Sequence, residues 1–498
     1  MIDALILAPI GVPLLGAVAY LLIGWRPATA WLAAASAALV LAAALALAVA
    51  RSGHGPELEL NGQVRADPLA EFMLIVIGAV GLLATAASPA WLRGEIAAGR
   101  ATARTAARHT VLVQLFLAAM AAAVLAASLG IVWVAIEGTT IVTAFLVGQR
   151  RTRHAVEAAW KYVMICSTGI AIALLGLLVL NAAAAHAGVP ADLDWAHLVA
   201  AAPRLDRGVT RMAVALLIIG FGTKAGLAPL HAWLPDAHGQ APAPVSALMS
   251  GVLLSVAFYA ILRVKAIADP ALGTGYCRSL LAVLALASLA LAASLLIGQR
   301  DYKRMLAYSS IEHMGLLALG AAAGSAAAIA AVLLHMLGHG LVKGSLFVSA
   351  GRILQVTRTH QIDDVRGLAA RMPLLAGCVG FGVLALIGFP PFSLFASEVG
   401  IARAGFATGL GWATALALAL VLVIAAALLT QVSRMLLGQP DTAPQPAGTG
   451  TKRATDGLAP VVVALAACAA LGVYAGPLTT LLHAAASVLS GAGGLGKS

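Results

Sequence analysis

Runs of about 20 mainly apolar residues recur along almost the whole chain, and each has the length at which a helix crosses a hydrocarbon core. We count about 14 of them, or roughly 280 residues. Their approximate bounds are 4–23, 28–50, 69–92, 109–128, 130–148, 160–183, 209–230, 241–262, 279–298, 303–323, 326–350, 372–394, 408–436 and 457–483. Hydrophobic types make up 61% of the 498 residues and charged types 10%, against about 25% charged in soluble chains. Such a chain cannot cover a water-facing surface, which argues against a soluble enzyme or a nucleic-acid-binding protein. The expected fold class is an all-α polytopic membrane protein, with no soluble domain between its spans.

The formal net charge of +11 fits loop bias better than an acidic partner. Alternate loops on one side, with Arg93, Arg100, Arg104, Arg108, Arg150, Arg151, Arg153 and Lys161 among their residues, hold about twice as many basic residues as the other side. The richer side is expected in the cytoplasm of a bacterial cell, with the chain in the inner membrane and both termini on the periplasmic side. No basic segment precedes the apolar run of MIDALILAPI, so the N-terminus reads as a first span and not a cleaved signal. Cys166, Cys277, Cys378 and Cys468 lie far apart without a CxxC pair, which offers no disulfide, cluster or metal site. By this count Lys224 and Lys343 are the only basic residues deep in the bilayer.

Glu137, Glu312 and Glu398 also fall inside apolar stretches. An ionisable group at mid-bilayer costs about 2.5–3.5 kcal/mol on insertion scales. Buried ion pairs that fix helix register are one explanation, although such pairs stabilise weakly. A pathway is the other. In GFGTKAGLAPLHAWLPDAHGQAPAPVS, Lys224 precedes Pro229, Pro235, Pro242 and Pro244, with His231, Asp236 and His238 between them. Proline breaks the helical ladder, and a membrane tolerates that only where protein or water satisfies the freed groups. Pro390 and Pro391 interrupt ALIGFPPFSLFASEVG ahead of Glu398 in the same manner.

Lys224 and Glu398 are 174 residues apart, and Glu137 and Glu312 are 175 apart. The spacing predicts two five-helix repeats, inverted because five is odd, with broken helices in both copies. That is the sequence pointer to a transport path at the midplane. The expected divisions are 1–108 for three leading helices, 109–262 and 263–436 for the repeats, and 437–498 for a loop and a last helix. In LLHMLGHGLVKGSLF, His335, His339 and Lys343 recur every four residues along one helix face, a row about 12 Å long. A proton relay suits this row better than packing does. A metal site suits it poorly, because a protonated lysine is no ligand and the face carries no carboxylate. Metal, cofactor and nucleotide-binding motifs are not visible in the sequence, so no cofactor is expected in this chain.

These motifs resemble the antiporter-like membrane subunits of respiratory complex I, the Mrp antiporters and the membrane-bound group 4 hydrogenases. The resemblance rests on the Glu137 helix, the Lys224 motif with HAWLPDAH, the His335 row and the Glu398 helix, and covers nearly the whole chain. DYKRMLAYSSIEHMG with Glu312, and GFPPFSLFASE, are most similar to hydrogenase-4 component F. The resemblance implies proton translocation, with Glu137 and Lys224 as a coupled pair, Lys343 as central relay beside His335 and His339, and Glu398 on the far segment. It implies partners too: other membrane subunits and a peripheral hydrogenase or dehydrogenase module that supplies the energy. Relatives in complex I often carry a lysine in the eighth span, where this chain has Ser255.

Some residues have plainer readings. Arg153, Glu157 and Lys161 form a surface ion-pair run, and Asp67 and Glu71 are interfacial. His231, Asp236 and His238 either form the cytoplasmic mouth or stabilise a broken helix. Two other functions compete with a redox-driven proton path: an Mrp-type cation/proton antiporter, and a passive membrane scaffold for a redox module.

Overall fold

A computed structural model describes residues 2–51, 55–190, 192–438 and 456–489. Lys452, Arg453 and Lys497, which enter the loop-charge count, and most of the 437–456 loop lie outside the described residues. The molecule is a bundle of helices. In chain order these are α1 (Ile2–Ile23), α2 (Leu32–Ala50), α3 (Pro68–Ala97), α4 (Ala103–Leu125), α5 (Leu129–Val147), α6 (Arg153–His186), the short α7 (Trp195–Ala201), α8 (Arg207–Lys224) and α9 (Trp233–Gln240). There follow α10 (Ala243–Leu248), α11 (Leu254–Leu272), α12 (Thr274–Ile297), α13 (Tyr302–Ala323), α14 (Ala326–Thr357), the one-turn α15 (Leu368–Arg371), α16 (Pro373–Leu386), α17 (Ser393–Ala407), α18 (Gly411–Leu437), α19 (Ala459–Val473) and α20 (Gly476–Leu489). A two-stranded antiparallel hairpin, β1 (Glu57–Glu59) with β2 (Val64–Ala66), pairs Glu57 with Ala66.

Polar side chains start the long helices by satisfying amides that have no intrahelical partner. Asp67, Thr102, Ser128, Thr152, Asp206, Asp301 and Ser325 each accept a bond from the first turn that follows. Among the described residues ten helices are long and apolar enough to cross a membrane unbroken. All fourteen stretches read from the sequence coincide with helix, but those interrupted by a break or carrying several charges are not among the ten.

The segment Ala243–Leu272 runs through the centre, with α3 and α14 beside it. A π-helical turn, Met249–Leu253, joins α10 to α11. Here a Cβ on Gly251 would lie 3.0 Å from the Gly340 Cα of α14 and 2.7 Å from Val80 of α3, so the three helices meet at a point that only glycine permits. Around the rim, Leu15 and Leu22 of α1, Val49 of α2 and Leu422 of α18 are exposed, as expected of surfaces that face lipid.

One charge assignment changes. Arg263 and Lys265 were expected in a loop, yet α11 continues to Leu272 and Arg263 is buried. Its guanidinium donates to both carboxylate oxygens of Asp67 at 2.8 Å and lies 4.1 Å from the Trp195 ring centroid. Asp67 and Glu71 stand at the start of α3, buried among protein side chains, and Glu71 accepts from Arg51 at 3.0 Å. Lys303 and Arg352 are buried within the protein as well. Hydropathy ends a span at its first charge, whereas a pairing partner from a distant helix lets the helix continue.

Candidate functional site

Two groups of polar side chains occupy the interior. The first lies where α5, α6 and α8 meet. Lys224 ends α8 and is fully buried. Its Nζ donates to Thr140 Oγ1 and to Tyr162 Oη, both at 2.7 Å. Thr140 passes the contact on by donating to Glu137 Oε2 at 2.9 Å, and Ser167 donates to Glu137 Oε1 at 3.1 Å. Glu137 and Lys224 are therefore brought together through a hydroxyl and not by a direct ion pair. The chain leaves helix after Lys224 because Gly226 is left-handed (φ +77) and Pro229 follows. Freed backbone groups find partners: Trp233 Nε1 donates to Thr223 O at 2.9 Å, and Ala228 N donates to Ser288 Oγ of α12 at 3.0 Å.

A second group lies between α13, α14 and α17. His335, His339 and Lys343 are fully buried in one row on α14, as the spacing predicts. Lys343 Nζ donates to Ser309 Oγ at 2.6 Å and to the Leu306 carbonyl. His335 Nε2 lies 3.0 Å from Nδ1 of His313, and His335 Nδ1 lies 2.9 Å from Ser397 Oγ. The His313 and His339 ring centroids are 5.0 Å apart. Glu398 joins this group from α17. It sits against Gly388 in the break between α16 and α17, where an added Cβ would come within 2.1 Å of Glu398 Oε2. Glu312 is buried with Oε2 unpartnered, within electrostatic reach of Glu398 and Lys343.

The breaks differ in register. Lys224 ends the helix before its break, whereas Glu398 stands in the second turn after Pro390 and Pro391.

Asp236 holds Lys161 at 3.1 Å and Arg304 at 3.3 Å, and Lys161 also pairs with Glu157 at 2.8 Å. The expected surface pair of Glu157 and Lys161 is thus present and extends to the broken helix. His231 is half buried, with Nδ1 unpartnered. His238 is fully buried and stacks on Phe347 with ring centroids 4.6 Å apart, both of its nitrogens unpartnered. Lys343 Nζ lies 5.7 Å from the same Phe347 centroid, so His238 and Lys343 flank one ring of α14. Ser255 bonds back to Gly251 O at 3.0 Å. Among the described residues no hydrogen bond joins the Lys224 group to the α14 row.

Sequence reasoning missed His313, Thr140, Tyr162, Ser397 and the buried Lys303, whose Nζ donates to Gly239 O and Ala241 O at 3.2 and 2.8 Å. His313 had a signal: Ser309 and His313 are four apart in SSIEHMG, on the face that meets α14. The hydroxyl residues gave none, because an isolated Thr, Tyr or Ser in an apolar run is common.

Comparison with known proteins gives one consistent picture. Residues 126–425 match the family described as NADH:quinone oxidoreductase/Mrp antiporter, TM. The Hydrogenase-4 component F homolog of Methylacidiphilum infernorum is 39% identical over 68% of this chain and 72% of its own length. NADH-quinone oxidoreductase subunit N of Desulforudis audaxviator is 33% identical over 68% of this chain and 66% of its own. Among solved structures, a chain of the membrane-bound sulfane sulfur reductase, an archaeal respiratory membrane complex, superposes with a TM-score of 0.85 at 25% identity, covering 99% of both chains.

Proposed function

Because the chain belongs to the NADH:quinone oxidoreductase/Mrp antiporter membrane family, we propose that it is the proton-translocating subunit of a hydrogenase-4-type or complex I-like redox-driven assembly. The observation that carries this reading is the burial of Lys224, His335, His339 and Lys343, all fully enclosed and all in polar groups that reach a carboxylate. Hydrocarbon penalises every one of these side chains, and packing alone gives no reason for so many together.

In this reading protons enter near Asp236 and Lys161 and pass His238 to Lys343. From there they follow His339, His313 and His335 to Glu398. Glu137 and Lys224 act as the partner switch. Their bridge through Thr140 spans at most the two bonds of 2.9 and 2.7 Å. Over that distance a charge gained or lost on one alters the other by about 3 kcal/mol at an effective dielectric of 20. That is about a hundredfold in a protonation equilibrium. Ordered water completes the gap between the two groups, as polar contacts beyond hydrogen-bond reach require. The redox module supplies the energy, about 2.3 kcal/mol for each proton moved against 100 mV.

The same reading has fourteen spans, ten of them in two inverted five-helix repeats, a place in the bacterial inner membrane with basic loops in the cytoplasm, and other membrane subunits as neighbours. Proton uptake into proteoliposomes that hold the intact complex tests it. Lys343→Ala and Lys224→Ala should each abolish uptake while the complex still assembles. Unchanged uptake in both would leave a membrane scaffold, and a strict sodium requirement would favour a cation/proton antiporter.

A further inference from the structure

We infer that His313, His335 and Glu398 form a binding site for a divalent transition-metal ion of the Zn²⁺ type. One donor atom from each lies within 4.8 Å of the other two. The sequence argued against a metal because α14 alone offers two histidines, a lysine and no carboxylate. Tertiary structure changes the donor set: α17 brings the carboxylate and α13 a third imidazole. Two imidazoles and a carboxylate are the ligands of open zinc sites, and they suit zinc, cobalt or nickel better than magnesium or calcium, which take oxygen.

Hydrogen bonds around the cluster fix where the lone pairs point. Ser397 donates its hydroxyl proton to Leu394 O at 2.8 Å, so its oxygen accepts from His335 Nδ1 at 2.9 Å. With that proton on Nδ1, His335 Nε2 is bare and accepts from His313 Nδ1 at 3.0 Å. His313 Nε2 is then bare too, buried and unpartnered. An arriving cation finds His335 already in the right tautomer, held by the kind of outer bond that orients ligating imidazoles. His313 ligates through Nδ1 once its proton moves to the vacant Nε2. Both imidazoles stay neutral, and Glu398 binds as carboxylate, so any proton it holds leaves.

Distances agree with this. Two nitrogens bonded at 2.0–2.1 Å to a tetrahedral ion lie about 3.3 Å apart, close to the 3.0 Å between His313 and His335. Bringing Glu398 into place takes a side-chain movement of at most about 1.5 Å to reach the same tetrahedral spacing. His339, with two unpartnered nitrogens, has its ring centroid 5.0 Å from that of His313, and Glu312, with Oε2 unpartnered, is within electrostatic reach of Glu398. Glu398 is partly exposed, whereas His313 and His335 are fully buried.

The site uses residues of the proposed proton path but does not rest on that reading, because binding is measured without proton transport. Purified full-length chain in nanodiscs, stripped with chelator, is titrated with Co²⁺ and then Zn²⁺. One Co²⁺ per chain with four-coordinate visible absorption, displaced by Zn²⁺, is expected. His335→Ala and Glu398→Gln should lose that spectrum, Ser397→Ala should bind 10–100-fold more weakly, and Glu57→Gln with Glu59→Gln, in the other carboxylate cluster, should leave it intact. A spectrum that survives both His313→Ala and His335→Ala overturns the site. X-ray absorption of the Zn²⁺-loaded wild type needs no variant to fold: two imidazoles in the first shell support the site and none overturns it. If Zn²⁺ binds there yet leaves proton uptake by the complex unchanged, the metal site stands and the proton path through His335 falls.

Discussion

The Lys224 group and the α14 row both bury amines in polar company but satisfy them with different materials. Around Lys224 each charge is met by a hydroxyl: Thr140 and Tyr162 on the amine, Thr140 and Ser167 on Glu137. Along α14 hydroxyls also serve, Ser309 on Lys343 and Ser397 on His335, but His335 pairs with a second imidazole, and several nitrogens, both of His339, both of His238 and Nε2 of His313, meet no partner. A buried polar group without a partner costs about 1–3 kcal/mol. The first region is therefore satisfied and, in the proposed reading, acts as a switch that holds its charges in place, whereas the second keeps open positions that the same reading fills with water or a proton.

If that contrast holds, the largest effects belong to the two lysines. Lys343→Ala removes the only amine of the α14 row and should lower proton uptake by the intact complex at least 10²-fold, the scale of losing a positioned proton-transfer group. Lys224→Ala should do the same, since Glu137 keeps its hydroxyl partners but loses the charge to which it responds. A complex in which one variant transports normally and the other does not would assign the path to a single region and dissolve the comparison.

His339 comes next, and it separates relay from packing. With neither nitrogen bonded, His339 contributes no hydrogen bond to the fold, so a leucine of similar volume should be tolerated structurally, with little change in melting temperature. Proton uptake should nevertheless fall about tenfold to a hundredfold, because the proton must then bridge two positions of the row, Lys343 to His335. Equal uptake in His339→Leu would make the imidazole a packing residue.

How far these regions could be read from the sequence follows the same division. The spans, the two broken helices and the ionisable residues were legible because hydrocarbon makes each charge or proline expensive, and expense is visible in a string of apolar letters. Glu137, Lys224, His335, His339, Lys343 and Glu398 all stood out for that reason. What joins them was not legible. Thr140 and Tyr162 cost little to bury in any helix, so nothing marks them, yet they connect Glu137 to Lys224. The carboxylate beside His335 comes from 63 positions away on α17, a juxtaposition that periodicity along one helix cannot express. Arg263 was misplaced in a loop for a related reason: its partner Asp67 is 196 residues distant, and hydropathy has no access to partners.

Thr140 offers the sharpest test of the satisfied switch. Thr140→Val keeps the β-branched shape but leaves Lys224 with Tyr162 and Glu137 with Ser167. The fold should lose about 1–3 kcal/mol, read as a lower melting temperature of the purified complex. Proton uptake should drop about tenfold, because the electrostatic message between Glu137 and Lys224 survives while their hydrogen-bonded bridge does not. Thr140→Ser should restore uptake, since it returns the hydroxyl. Should valine transport as well as threonine, the hydroxyl is a spacer and the two charges communicate through space alone.

The smallest effect is expected at the mouth. Asp236 is partly exposed and shares Lys161 and Arg304, and exposed pairs are worth about 0.2–1 kcal/mol. Asp236→Asn should therefore leave the melting temperature nearly unchanged and lower proton uptake by no more than a few-fold. The deficit should shrink as salt rises, since a screened field loses its pull over about 10 Å at 0.1 M. The α14 row lies under protein and feels bulk salt far less. Uptake in the Lys343 and His339 variants should accordingly be insensitive to ionic strength, and a salt dependence as strong there as at Asp236 would mean that the row is open to bulk water.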